Sequence, residues 1–208
     1  MSEQILLPLE FTSPIITSDD FIVGLSNLNA FNAISQPYSW PDSRLMVMGE
    51  AKSGKTALAN IWAHKNGAVF YSSLEKLQDE NPQNCIIDNL EFFNSEQELF
   101  HAINYTMQQR ITLLITAGTI PCFKLPDLRS RIAATQKVLI HQPDEELIKA
   151  LLLKKFANLQ IEVDTGVVEY IISRIERSFE AVFMVVEQLN LYSLRHKKPI
   201  TINAFKKI

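Results

Sequence analysis

Short apolar runs alternate with stretches of helical periodicity along the first two thirds of the chain. Leu45-Met46-Val47-Met48 reads as a buried strand, because four consecutive apolar residues bounded by polar and glycine positions fit a sheet covered on both faces. Ala68–Tyr71, Cys85–Ile87, Thr112–Ile115 and Lys137–Ile140 repeat that signature. Between them, 56–64 places Leu58, Ile61 and Trp62 on one helical face. Ser95 with Glu98 forms an S-x-x-E capping box ahead of Leu99, Phe100, Ile103 and Met107. After Pro143 the strand signature stops. Asp144 and Asp164 are placed to cap two amphipathic helices, a third runs from about Phe179 to Leu194, and a last turn starts near Asn203. The expected fold is α/β: a five-stranded parallel core followed by a small all-α domain. The expected divisions are an extended arm over 1–20, a core over 21–142 and a helical unit over 143–208.

Between the first strand and its helix lies Gly49-Glu50-Ala51-Lys52-Ser53-Gly54-Lys55-Thr56, which matches G-x-x-x-x-G-K-[ST]. The chemistry accounts for each fixed position. Gly49 and Gly54 permit backbone angles that turn successive N–H groups toward phosphate oxygens. Lys55 supplies a point charge to the β and γ phosphates, Thr56 a hydroxyl to Mg²⁺, and the following helix its positive N-terminus. Cys85-Ile86-Ile87-Asp88 ends a strand in an acid, and Asp88 is placed to hold Mg²⁺ through water. The chain is therefore expected to bind ADP or ATP with Mg²⁺.

Composition narrows the partners. The 208 residues are 47% hydrophobic and 21% charged with a net charge of −3, so no overall basic field attracts nucleic acid, and DNA contact is expected only indirectly. The two cysteines, Cys85 and Cys122, and the four histidines show no metal-ligand spacing. No apolar stretch is long enough to span a bilayer and no signal-peptide pattern opens the chain, so no membrane partner and a cytoplasmic location are expected.

The segment 20–27, the phosphate loop, IIDNLEFF at 86–93, LLIT at 113–116 and LPDLRSRI at 125–132 together resemble the DnaA/Hda branch of the AAA+ family. That branch holds a bacterial replication initiator and its short homologue, a regulator of initiator inactivation. The resemblance runs through nearly the whole chain, and the helical tail is similar to the family's lid. The chain ends at Ile208, before a DNA-binding helix-turn-helix domain of the initiator kind, which favours the regulator reading. The resemblance implies that Arg131 is an arginine finger acting in trans on ATP held by DnaA. It implies that Gln4-Ile5-Leu6-Leu7-Pro8-Leu9, through Gln4, Leu7 and Leu9, binds the DNA polymerase sliding clamp (beta subunit), which would bring the chain to the nucleoid. It also implies that Phe21 and Val23 lie near the adenine. Self-association is left open.

Three positions depart from the family pattern. Asn89 follows Asp88 where an acid is common, Gly118 stands at the sensor-1 position, and Glu180 stands where the third lid helix carries the sensor-2 arginine, with Arg177 one turn earlier as the nearest replacement. All three spare nucleotide binding and remove groups that hydrolyse. The expectation is a nucleotide-binding chain with weak or no ATPase of its own that promotes hydrolysis in a partner. The alternatives are an autonomous ATP-driven loader or remodeller of the DnaA/DnaC type, a small P-loop kinase, and a scaffold with a vestigial nucleotide site.

Overall fold

The computed structural model describes residues 20–208. Five strands, β1 (Arg44–Met48), β2 (Val69–Phe70), β3 (Asn84–Ile87), β4 (Thr112–Ala117) and β5 (Gln136–Leu139), form one sheet. Its order is β2-β3-β4-β1-β5, and every pairing is parallel. Five helices cover the sheet: α1 (Leu28–Ile34), α2 (Lys55–Asn66), α3 (Leu74–Glu80), α4 (Glu96–Gln108) and α5 (Pro126–Ala134). The burial follows the two-residue period of a strand. Leu45, Val47, Ile86 and Leu114 face α1 and α2, packing on Ala30, Ile34, Leu58 and Trp62. Met46, Cys85, Ile87, Leu113 and Ile115 face the other way, onto Leu77, Leu99, Ile103 and Leu128. Burial pushes the Cys85 thiol up to about 12, so it behaves as a small apolar core residue.

Four further helices follow: α6 (Glu145–Asn158), α7 (Thr165–Ile172), α8 (Phe179–His196) and α9 (Ile202–Phe205). They share their own core of Ile148, Leu152, Phe156, Val168, Ile171, Val182, Val186 and Leu189. Two residues of this helical unit, Leu147 and Phe179, belong instead to the core cluster beneath α1 and α2, which ties the two layers together. The Asp144 carboxylate caps α6 by accepting from the Leu147 N–H at 2.7 Å, and Asp164 caps α7 through Gly166. Asp144→Ala removes that acceptor from an otherwise orphaned helix donor. It is expected to cost about 1 kcal/mol and to lower the thermal midpoint by roughly 2–4 °C, read by differential scanning calorimetry.

The structure departs from the sequence expectation in local ways. The strand at 68–71 shrinks to two residues, α2 begins at Lys55, and α1, α3 and α5 carry too little periodicity over seven to nine residues to stand out. The Ser95 hydroxyl accepts from the Glu98 N–H as a capping box requires, but the Glu98 carboxylate does not return to the helix start. It accepts from the Tyr71 hydroxyl at 2.9 Å, joining α4 to the end of β2. Among the described residues no helix is long and apolar enough to cross a membrane.

Candidate nucleotide site

β1 ends at Met48, and the loop that follows folds back over the C-terminal edge of the sheet. Gly54 has φ +97° and Lys52 φ +62°, so two residues in three take left-handed backbone angles. Gly49 does not. It is required for close approach, since a Cβ there would lie 2.7 Å from the Ser53 hydroxyl and 3.0 Å from Ile140. The freedom expected of Gly49 thus falls to Lys52, which bears the left-handed strain as a non-glycine residue. The Lys55 ammonium is buried and donates to the carbonyls of Gly49 (2.9 Å) and Glu50 (2.8 Å), which shapes the loop around it. Its pKa is lowered, chiefly by burial, with the carboxylates of Glu91, Asp88 and Glu50 opposing. The Ser53 hydroxyl is buried without a hydrogen-bond partner among the described residues. An orphaned donor at the heart of an anion-shaped loop fits a phosphate oxygen.

Asp88 lies one residue past β3, and its carboxylate gathers three donors. Thr56 Oγ1 donates to Oδ2 at 2.9 Å, Asn89 Nδ2 to the same oxygen at 2.9 Å, and Thr116 Oγ1 to Oδ1. The loop hydroxyl and the strand-end acid are therefore adjacent. Two hard oxygen ligands side by side, with room for water and phosphate, fit Mg²⁺, which prefers few protein ligands. Asn89 sits at φ +56° and passes its main-chain N–H to Thr116, so its amide is committed to Asp88.

Glu91 is a site residue absent from the sequence reading. It sits in the turn after β3, and its two carboxylate oxygens accept from the Gly118 N–H at 2.9 and 3.0 Å. A Cβ on residue 118 would lie 2.7 Å from Glu91 Oε1, so the glycine makes room for the acid. The only sequence hint is the glycine itself. Glu91, Asn89, Gly118 and Thr119 face the phosphate loop across a cavity of about 620 Å³.

A second cavity, of about 590 Å³, shares Lys52, Ser53, Gly54 and Ala57 with the first and runs between the sheet layer and the helical unit. Its walls are Phe21, Ile22, Leu147, Leu151, Phe179 and Phe183, with Asn27, Lys154, Lys155 and Asn158 at the polar edge. Phe21 stacks on Phe31 at 5.9 Å and lies against Gly54. An apolar slot opening onto an anion cradle suits a planar base joined to a phosphate chain. The loop also grips the helical unit: Glu50 Oε1 accepts from the Phe179 N–H, the first of α8, at 2.9 Å.

Other expected residues lie elsewhere. Val23 is 40% exposed and lines a separate surface groove, because Asn27 ties Gly24 and Ile22 into a turn that sends Ile22 inward instead. Arg177 is exposed, pairs with Glu145 at 3.2 Å and lines neither cavity, and Glu180 is also exposed. Arg131 lies at the opposite end of the sheet. Its guanidinium donates to Met107 Sδ at 2.9 Å and rests 5.4 Å from the Phe100 ring, while its Nε is buried without a partner among the described residues. Arg44, the first residue of β1, donates to the same sulfur, which fixes Arg131 at the strand starts. Gln4, Leu7 and Leu9 fall outside the described residues.

Residues 144–208 match the family model described as Hda, lid domain. The chromosomal replication initiator DnaA of Cutibacterium acnes is 25% identical across 92% of this chain and 45% of its own length. That of Nautilia profundicola is 26% identical across 86% and 48%. The chain thus spans about half the length of these curated relatives. Among solved structures, domain III of Thermotoga maritima DnaA superposes with a TM-score of 0.71 at 18% identity, covering 92% of this chain and 94% of that domain. A DnaA bound to AMPPCP and single-stranded DNA gives 0.67 at 19%, covering 90% and 69%. The solved structures show the shared fold. The lid match and the relatives aligned along nearly the whole chain, on that shared fold, support the DnaA/Hda branch of the AAA+ family as the one this chain resembles.

Proposed function

We propose that the chain is an Hda-like regulator of replication initiation. It holds ADP or ATP with Mg²⁺ between its sheet and lid, and it stimulates hydrolysis of ATP bound to a DnaA-type partner. The observation that carries this reading is the position of Arg131. The nucleotide loop follows the C-terminal end of β1, whereas Arg131 shares Met107 with the residue that begins β1. A strand of this length separates the two by roughly 15 Å. Arg131 therefore cannot serve its own nucleotide, and an arginine placed there supplies charge to one on a neighbour. The carboxylate of Glu96 supports this placement by accepting from the N–H groups of Lys124 and Leu125, just before α5.

Within its own site, Thr56 and Asp88 would hold Mg²⁺, which supplies charge neutralisation along the phosphates. Lys55 and the loop N–H groups orient the chain of phosphates, and Phe21 and Ile22 exclude water from the base. Asn89 orients but cannot take a proton. The N-terminal peptide with Gln4, Leu7 and Leu9 would dock an extended apolar segment on the sliding clamp. The decisive assay follows ATP turnover with this chain, DnaA and DNA-loaded clamp together and in every pairwise omission. Turnover should rise only in the complete mixture, and full turnover by this chain alone would defeat the reading.

A second reading, autonomous hydrolysis, draws on Glu91, a carboxylate at the phosphate end of the site that can accept a proton where Asn89 cannot. It predicts single-turnover ATP cleavage by the isolated chain that Glu91→Gln removes.

A further inference from the structure

The lid helix α8 brings no cation of its own to the nucleotide cavity: Glu180 is exposed and Arg177, just before the helix, is engaged with Glu145. Three lysines line the cavity from other elements, Lys52, Lys154 and Lys155, and two of them approach one aromatic ring. Lys155, on α6, places its ammonium 3.8 Å from the centroid of the Phe183 ring, and Lys52, in the phosphate loop, places its own 5.9 Å from the same ring. Both line the cavity between sheet and lid, and Lys52 also lines the adjoining phosphate cavity. Their neighbour Lys154 is paired with Asp20, through the main-chain oxygen and the carboxylate. Among the described residues Lys52 and Lys155 have no acidic partner within ion-pair distance.

Two like charges beside one aromatic ring are costly unless something anionic joins them. Phe183 offers each a cation–π contact, but a ring has no lone pair to accept an N–H. Burial lowers the Lys155 pKa, and the charges of Lys52 and Lys154 lower it further. An anion placed between the two ammonium groups would reverse that repulsion, and the cavity they line opens directly onto the phosphate loop.

We infer that Lys155 is the cation with which the lid contacts the phosphate chain of a bound nucleotide, Phe183 positioning it and Lys52 sharing the same anion from the loop side. The inference rests on the nucleotide-binding reading above and adds the residue that links lid to phosphate. The bound phosphate chain then bridges α6 and the loop, alongside the Glu50 contact to α8.

The test compares wild type, Lys155→Met, Lys155→Arg and Arg177→Ala for binding of ADP by calorimetry and of adenosine by chemical-shift titration. Methionine keeps the apolar stem on Phe183 and removes the charge. Lys155→Met should weaken ADP about tenfold, equivalent to 1.4 kcal/mol, leave adenosine within twofold and keep the thermal midpoint of the free protein. Lys155→Arg should restore most of the ADP affinity, and Arg177→Ala should bind ADP as wild type does. Unchanged ADP affinity in Lys155→Met, or equal weakening of ADP and adenosine, overturns the inference while leaving nucleotide binding intact. Failure of the wild type to bind ADP overturns the nucleotide reading and this inference together.

Discussion

Arg131→Ala is expected to lower stimulated ATP hydrolysis on the DnaA-type partner by about 10³-fold or more, the scale on which arginine fingers act. The chain itself should fold as before. Arg131 is half-buried, its hydrogen-bonding partner is a thioether sulfur, and its Nε has none among the described residues, so its removal leaves no strong acceptor stranded. The same geometry explains how the guanidinium can leave its resting place. A sulfur is a weak acceptor shared with Arg44, and a phosphate oxygen carrying developing charge is a far stronger one. The conservative change Arg131→Lys should not restore stimulation, because an ammonium lacks the planar fork that spans two phosphoryl oxygens. The measurement is ATP turnover in the complete mixture with DNA-loaded clamp, beside a clamp-binding assay on the same variant. Undiminished stimulation would remove Arg131 from the mechanism. Loss of clamp binding as well would point to a misfolded variant, and the thermal midpoint decides that directly.

What could be read from the residues, and what could not, divides along a physical line. The loop Gly49–Thr56, the strand-end Asp88 and the caps Ser95, Asp144 and Asp164 act within a few residues of their own position, so spacing alone exposes them. Glu91 and Lys155 act across the fold. Glu91 looks like a surface acid until the left-handed turn at Asn89 swings it against Gly118. Lys155 follows Leu151 and Leu152 by four and three residues on the apolar face of α6, where a lysine ordinarily reads as a stem laid over the core with its charge in water, and only the packing of α8 beside α6 puts Phe183 beneath it. The exchange of Val23 for Ile22 has a similar origin, since a turn held by the Asn27 side chain sets which residue points inward. Asn89, Gly118 and Glu180, read singly, are losses. In the fold, the Asn89 amide donates to Asp88 and Gly118 makes space for Glu91, while the proposed phosphate contact from the lid passes from position 180 to a lysine of another helix.

Lys55→Ala should abolish the stabilisation that ADP confers, and this separates a working site from a vestigial one. In the wild type, ADP at a hundred times its Kd should stabilise the fold by about 2.7 kcal/mol, a rise in thermal midpoint of roughly 5–10 °C for a chain of this size. Lys55 is the loop side chain whose ammonium is buried in the cradle, 6% exposed and held by the Gly49 and Glu50 carbonyls. With it removed, the phosphates would face the carboxylates of Glu50, Asp88 and Glu91 with only main-chain N–H groups and Lys52 to offset them, so affinity should fall by about 10² or more. Without ligand, the variant should lose little stability. Lys55 and Glu50 line an open cavity from which water can replace the ammonium, and the cost of taking that charge out of water disappears. The measurement is the thermal midpoint of both proteins across an ADP titration with Mg²⁺. Parallel rises in the two would mean that the cradle does not grip phosphate through Lys55. A wild type that is itself indifferent to ADP would make the scaffold reading the better account of this fold.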